Sequence, residues 1–136
     1  MHAILGTIAL EPNRWTGKRN PRMDLFELLP RVKAAGFDQL EVWQWHASTR
    51  YLGDIREIKA KGDAIGVSFP VIGVYPAFHL EGAEAREEAR IQEDILDKAE
   101  ALGSRLLKIM LGRVKGIDIT PRQMELTAQR FGSWYK

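Results

Sequence analysis

Cysteine is absent from this 136-residue chain, which excludes disulfide staples and thiolate metal sites and leaves stability to packing alone. Long apolar runs are also missing. No segment approaches the roughly 18 uninterrupted apolar residues of a membrane span, and the N-terminus, Met1-His2-Ala3-Ile4-Leu5-Gly6, lacks the basic region and cleavage pattern of a secretory signal. The expected address is the cytoplasm, with no membrane partner. The sequence has no phosphate-cradling glycine motif, no Gly-x-Ser-x-Gly elbow and no His-Glu-x-x-His. Net charge is only +2, too small to argue for nucleic acid by itself. What remains is 45% hydrophobic and 28% charged, ordinary for a soluble globular protein. The length suits one domain over residues 1–136, able to bury roughly two-thirds of its unfolded surface.

A strand-then-helix unit recurs four times along the chain. The first strand is expected over residues 3–10, broken by Gly6 and Thr7. A loop over 11–22 leads to a helix opened by Asp24, with Glu27 at capping-box spacing, and closed by Gly36. Pro30 within it predicts a kink or a short helix. The second strand is expected over 39–45, the next helix over 51–64, and a third strand over 67–74 made irregular by Pro70. An acidic helix over 83–102 carries Ile91, Ile95, Ala99 and Leu102 on one stripe, so its charges should form a solvated outer face. A fourth strand over 105–111 and a helix opened by Thr120, Pro121 and Gln123 complete the series. This rhythm implies an α/β fold with a parallel sheet covered by helices. A closed eight-stranded barrel needs about 250 residues, so four units read as half of a (β/α)8 barrel.

In such barrels the chemistry sits where the strands end, which brings together Glu11, the basic loop, His46, the segment 75–79 and Gly112-Arg113. Period-two alternation turns Glu41, Trp43 and Trp45 to one face of strand two, and Leu106, Lys108 and Met110 to one face of strand four. Glu41 and Lys108 thus point into the barrel. Either buried alone would cost several kcal/mol, so they must be paired, wet or in contact with substrate. His46 and His79 could act as polar loop residues, general bases or metal ligands, but two histidines and a carboxylate without a characteristic spacing do not make a metal site. Trp43, Trp45 and Tyr75 could stack on a sugar ring or fill the core. The segment 13–22 sets Arg14, Lys18, Arg19 and Arg22 around Trp15, suiting a solvated loop, a small anionic ligand or a nucleic-acid backbone.

Two passages carry a family resemblance. Ala35-Gly36-Phe37-Asp38-Gln39-Leu40-Glu41 resembles the helix-to-strand-two passage of xylose isomerase-like TIM barrels, the sugar phosphate isomerase and epimerase group, in which a glutamate ends strand two. Ala101-Leu102-Gly103-Ser104-Arg105-Leu106-Leu107-Lys108 is similar to the group's approach to strand four, with a basic residue inside the strand. The resemblance runs over nearly the whole chain and implies an N-terminal half. It implies a sugar or sugar-phosphate as small-molecule partner, with Glu41, Trp43, His46, Tyr75, His79 and Lys108 on the substrate-side wall. It further implies that the divalent metal of a complete member is held by strands five to eight, outside this chain, so no metal ligand is assigned here and activity of the chain alone is left open. The group's endonuclease-type DNA-repair branch fits less well, because His79 matches one of its ligands loosely and Met110-Leu111-Gly112 offers no histidine. A half-barrel would leave open edges and an exposed inner face. Pairing two copies into a complete barrel as a homodimer, rearrangement to a flat doubly wound sheet, or docking of a missing C-terminal half would each answer that, and the rival to the enzyme reading is a catalytically silent half-barrel, a fragment or self-associating module.

Overall fold

A computed structural model describes residues 3–14, 20–48, 50–111 and 118–134. Among them, β1 (Leu5–Gly6), β2 (Gln39–Trp43), β3 (Ser68–Val74) and β4 (Leu106–Ile109) form a parallel sheet in the order β1-β2-β3-β4. The helices are α1 (Leu25–Ala34), a short α2 (Gln44–Ser48), α3 (Leu52–Ile65), α4 (Gly82–Leu102) and α5 (Pro121–Trp134).

Each helix begins and ends for local reasons. Asp24 caps α1 by accepting the Phe26 N–H at 2.8 Å. Helix α1 continues through Pro30, which is exposed, and is ten residues long. Gly66 and Gly103 close α3 and α4 in the left-handed region, at φ of 69° and 73°, and let the next residue bond back to Gly62 and Ala99. Thr120 and Gln123 exchange the expected capping bonds ahead of α5.

The core lies between the sheet and one helical layer. Leu25, Leu29 and Val32 of α1, Ile55 and Ile58 of α3, and Ile95, Ala99 and Leu102 of α4 pack with Leu40, Val42, Phe69, Ile72 and Val74. Each fully buried aliphatic or aromatic side chain stabilises by about 1.5–3 kcal/mol, so this layer holds the fold. Pro70 sits where the β2–β3 register slips, Gln39 pairing with Ser68 but Glu41 with Val71. A proline is tolerated there because the bulge asks for no N–H. Ser104 Oγ and the Arg105 N–H satisfy the carbonyls of Phe69 and Pro70, at 2.7 and 3.0 Å.

Three strands are shorter than the sequence suggests. β1 ends at Gly6, and Thr7–Leu10 form a 3-10 turn, because the Thr7 hydroxyl accepts the Trp43 N–H at 2.9 Å in place of a backbone carbonyl. β2 ends at Trp43 and turns into α2, and the Gln44 side chain accepts the Tyr75 N–H at 2.7 Å in the same manner. β4 ends at Ile109, with Met110 and Leu111 exposed. The solvated outer face expected of α4 also needs correcting. Glu88 is buried, on a stripe with Gln92, Ile95, Ala99 and Leu102.

Gly62 of α3 lies against the sheet so closely that a β-carbon would stand 2.7 Å from the Phe69 ring and 2.8 Å from the Val67 carbonyl. Neither neighbour can yield, one being buried core and the other backbone. Gly62→Ala should therefore destabilise by about 1–3 kcal/mol, against the gain of up to about 1 kcal/mol that alanine brings to an exposed helix interior. Urea unfolding of the two proteins measures the sign.

Candidate functional site

The C-terminal ends of β1, β2 and β3 gather a buried polar network and an aromatic cluster. Glu11, fully buried, accepts the Arg22 and Met23 N–H groups at 3.0 and 2.8 Å and faces His46 Nε2 at 3.0 Å. His46 is 2% exposed, and its Nδ1 lies 2.9 Å from Thr7 Oγ1. The hydrogens follow from the partners. Glu11 accepts, so Nε2 carries the proton, Nδ1 accepts from the Thr7 hydroxyl, and that hydroxyl accepts from Trp43.

Burial works against the Glu11 carboxylate, but the two backbone donors and His46 outweigh it and hold its pKa below the ordinary carboxylate value. Burial dominates at His46, where it depresses the pKa despite the nearby Glu11 and keeps the ring neutral. This network joins three chain segments and leaves both ring nitrogens of His46 occupied. The ring serves to hold the strand ends in place.

Beside it, Trp43 stacks on Trp45 at 5.7 Å and meets His46 edge-on at 5.5 Å, while Trp45 meets Tyr75 edge-on. Trp43 is buried; Trp45 and Tyr75 are half-buried. On the inner face of the sheet, Lys108 Nζ bonds both carboxylate oxygens of Glu41, at 2.9 and 3.0 Å. The pair spans β3 at Gly73, where a β-carbon would stand 3.0 Å from Glu41 Oε1. Lys108 is 54% exposed, so the bridge contributes at most about 1 kcal/mol.

The remaining candidates lie further out. His79 is half-buried on the β3–α4 loop, next to buried Phe78. Arg14 donates to the Glu11 carbonyl at 2.8 Å, and Arg22 is exposed. Residues 15–19 of the basic loop and Gly112-Arg113 lie outside the described residues. Among the described residues, no group of three or more His, Asp or Glu could hold a metal ion, and no helix is long and apolar enough to cross a membrane.

Reasoning from the sequence missed Thr7, Gln44, Glu88, Gln92 and Arg130. Glu88 and Gln92 were detectable, because they share the helical spacing of Ile95, Ala99 and Leu102. Thr7 and Gln44 give no comparable signal, since each acts on a backbone group more than 30 positions away.

No protein-family model matches the sequence, and no curated protein matches it. Solved structures do. A D-psicose 3-epimerase from Clostridium cellulolyticum H10, solved with D-tagatose, superposes with a TM-score of 0.72 at 18% identity, over 98% of this chain and 47% of the other. A D-psicose 3-epimerase solved in the presence of D-fructose gives 0.71 at 14% identity, over 98% and 47%. A probable 3-DHS dehydratase, AsbF, from Bacillus anthracis, described as involved in petrobactin synthesis, gives 0.70 at 15% identity, over 96% and 46%. These enzymes are xylose isomerase-like TIM barrels, and this chain spans about half the length of each. The four parallel strands and their helices have the architecture of half such a barrel.

The network predicts acid sensitivity of a definite sign. The folded pKa of His46 lies below the ordinary 6.5, so as pH falls the unfolded chain takes up that proton first and stability drops from about pH 6.5 downward. Glu11, also depressed, adds a second loss as pH falls below its ordinary 4.5 and through the folded value. Urea midpoints measured between about pH 7 and 3 should decline in both windows. His46→Gln should flatten the upper one.

Proposed function

We propose that this chain is a single half-barrel domain over residues 1–136 that supplies the substrate-side wall of a sugar or sugar-phosphate isomerase or epimerase. The observation that carries this reading is the Glu41–Lys108 pair lying across Gly73 on the inner face, with Trp43, Trp45 and Tyr75 at the adjoining strand ends. A polyol needs both donors and acceptors at its hydroxyls and an apolar platform for its C–H face. Lys108 and Glu41 supply the first, the indoles and Tyr75 the second, and His79 a further polar edge. His46 contributes through Thr7 and the Trp43 backbone, by fixing where β2 ends. The superposed D-psicose 3-epimerases support a ketose substrate class. A divalent metal, held by the complementary half of a complete barrel, would polarise adjacent substrate oxygens while a carboxylate moves a proton.

Titration with D-fructose, D-tagatose and their phosphates, followed through the indole N–H resonances of Trp43 and Trp45, tests the wall. A saturable shift that Lys108→Met weakens about tenfold is expected, on the scale of one charge-assisted hydrogen bond. Identical spectra with and without every sugar would overturn the reading.

A second reading, self-association, is favoured by the inner face itself. Leu106 of the edge strand β4 is 62% exposed and Met110, just past its end, 42%, and Ile4 is 45% exposed ahead of the opposite edge strand β1. Two copies would together supply eight strands. Light scattering should then report a dimer, and Leu106→Glu should return it to monomer. A monomeric wild-type chain at high concentration would exclude the pairing.

A further inference from the structure

The inner face of the sheet carries a pattern that one copy of the chain does not complete. Gly6 of β1 pairs with Glu41 of β2, Glu41 with Val71 of β3, and Val71 with Leu106 of β4. Two positions further along, Trp43 pairs with Gly73 and Gly73 with Lys108. Lys108 bonds Glu41 rather than reaching straight across to Trp43, so the contact steps forward by two residues over two strands. A (β/α)8 barrel with its shear of eight steps by that amount, and alternate strands supply the four side chains of one interior layer. Glu41 and Lys108 are two neighbouring members of such a layer.

Gly6 has no reason within the single chain to be glycine. Its backbone is extended, at φ −74° and ψ 120°, and a β-carbon would meet nothing closer than Ile8, at 3.8 Å. At Gly73 the reason is plain, because a β-carbon would stand 3.0 Å from Glu41 Oε1 where that carboxylate reaches Lys108. Gly6 takes on β1 the level that Gly73 takes on β3, and leaves the same passage open on the other side of Glu41. Each carboxylate oxygen accepts one bond from Lys108, at 2.9 and 3.0 Å, and keeps a second lone pair, while the ammonium group has three protons to give.

Continuing the same step around a two-fold pair of copies fixes how their edges meet. Each copy takes half of the shear, so the ladder running from Gly6 to Leu106 comes round four residues earlier on the partner's first strand. This sets Lys108 beside the partner's Ile4, and Met110 beside the partner's Gly6. Ile4 is 45% exposed and Met110 42%, and the Met110 N–H already continues the β4 ladder by donating to the Val74 carbonyl at 2.9 Å.

We propose that two copies of this chain close into one eight-stranded barrel in which Lys108 of each copy reaches the partner's Glu41 across Gly6, as it reaches its own across Gly73. The layer is then a ring of alternating carboxylates and ammonium groups. The next layer toward the strand ends, formed by Gly6 and Gly73 of both copies, holds no side chain, whereas barrel interiors are normally filled by branched ones. It leaves a central chamber with the ring as its floor and Trp43 and Met110 above, and neither copy encloses it alone. The floor carries no net charge, which suits the hydroxyls of a neutral sugar. The inference rests on the self-association reading above and adds to it the register, the ring and the chamber.

Glu41→Lys and Lys108→Glu test the ring. Each substitution alone gives both ring positions one sign, so its homodimer sets like charges together at both junctions and should weaken by about a hundredfold or more. Mixed in equal amounts, the two variants offer opposite charges at both junctions and should form a heterodimer in native mass spectrometry. A chain carrying both substitutions restores the alternation and should dimerise as the wild type does. Circular dichroism should stay unchanged, since the exposed pair adds little to the fold. A wild-type dimer whose single variants stay paired, or variants that form no heterodimer when mixed, would overturn the ring and leave self-association standing. A monomeric wild-type chain would overturn both and leave the open edges to a different, complementary half.

Discussion

The buried carboxylate of Glu11 is the constraint on which the strand ends depend. A carboxylate taken out of water without partners would cost several kcal/mol, enough to cancel a large part of a domain's stability. Glu11 meets that demand with the N–H groups of Arg22 and Met23 and the ring of His46. Those bonds bring the chain back from the basic loop directly to Asp24, where α1 begins. They also fix the tautomer of His46, which fixes the Thr7 hydroxyl, which in turn receives the Trp43 N–H. A single ionised group therefore coordinates the start of a helix, the end of β1 and the end of β2. Because the carboxylate has no exposed surface, its bonds are little screened by salt.

Energetics and candidate chemistry occupy opposite faces of the sheet. The outer face is closed by α1, α3 and α4 over Leu40, Val42, Ile72 and Val74, all fully buried. Purely parallel sheets are normally covered on both faces. Here the inner face carries the Glu41–Lys108 bridge and an exposed Leu106. A bridge so open to solvent adds little to stability, and Gly73 gives up a side chain to make room for it. The pair thus contributes little to folding, and the packing that holds the sheet lies on its other face.

The sequence made the periodic features legible. Four strand-and-helix units, the caps at Asp24 and Thr120, and the shared face of Glu41 and Lys108 all follow from local spacing. Strand lengths do not. Trp45 has strand propensity, yet β2 stops at Trp43, and Gln44 starts a helix while its side chain accepts from the backbone of Tyr75. Such endings are decided by a hydroxyl or amide standing in for a ladder carbonyl on a distant strand. One residue's type does not reveal that partner. His46 shows the same limit, since its position after β2 was readable and its enclosure between Thr7 and Glu11 was not.

Helix α4 divides its stripe between two tasks. From Ile95 onward, Ile95, Ala99 and Leu102 seal the sheet, with the buried Lys98 beside them bonded to Asp94 at 2.7 Å. One and two turns earlier, the same stripe carries Gln92 and Glu88, both buried, which turn the helix from packing against strands to holding the Ala77 backbone and facing α5. A polar group on a helix's buried stripe is unfavourable unless each of its atoms is matched. Glu88 is matched by Ala77 and by the Gln92 amide nitrogen, whereas the oxygen of Gln92 is left without a partner within the described residues. An apolar residue at 92 would have avoided that mismatch at no loss of helix propensity. What the amide provides instead is a second donor to Glu88 Oε1, beside the Ala77 N–H.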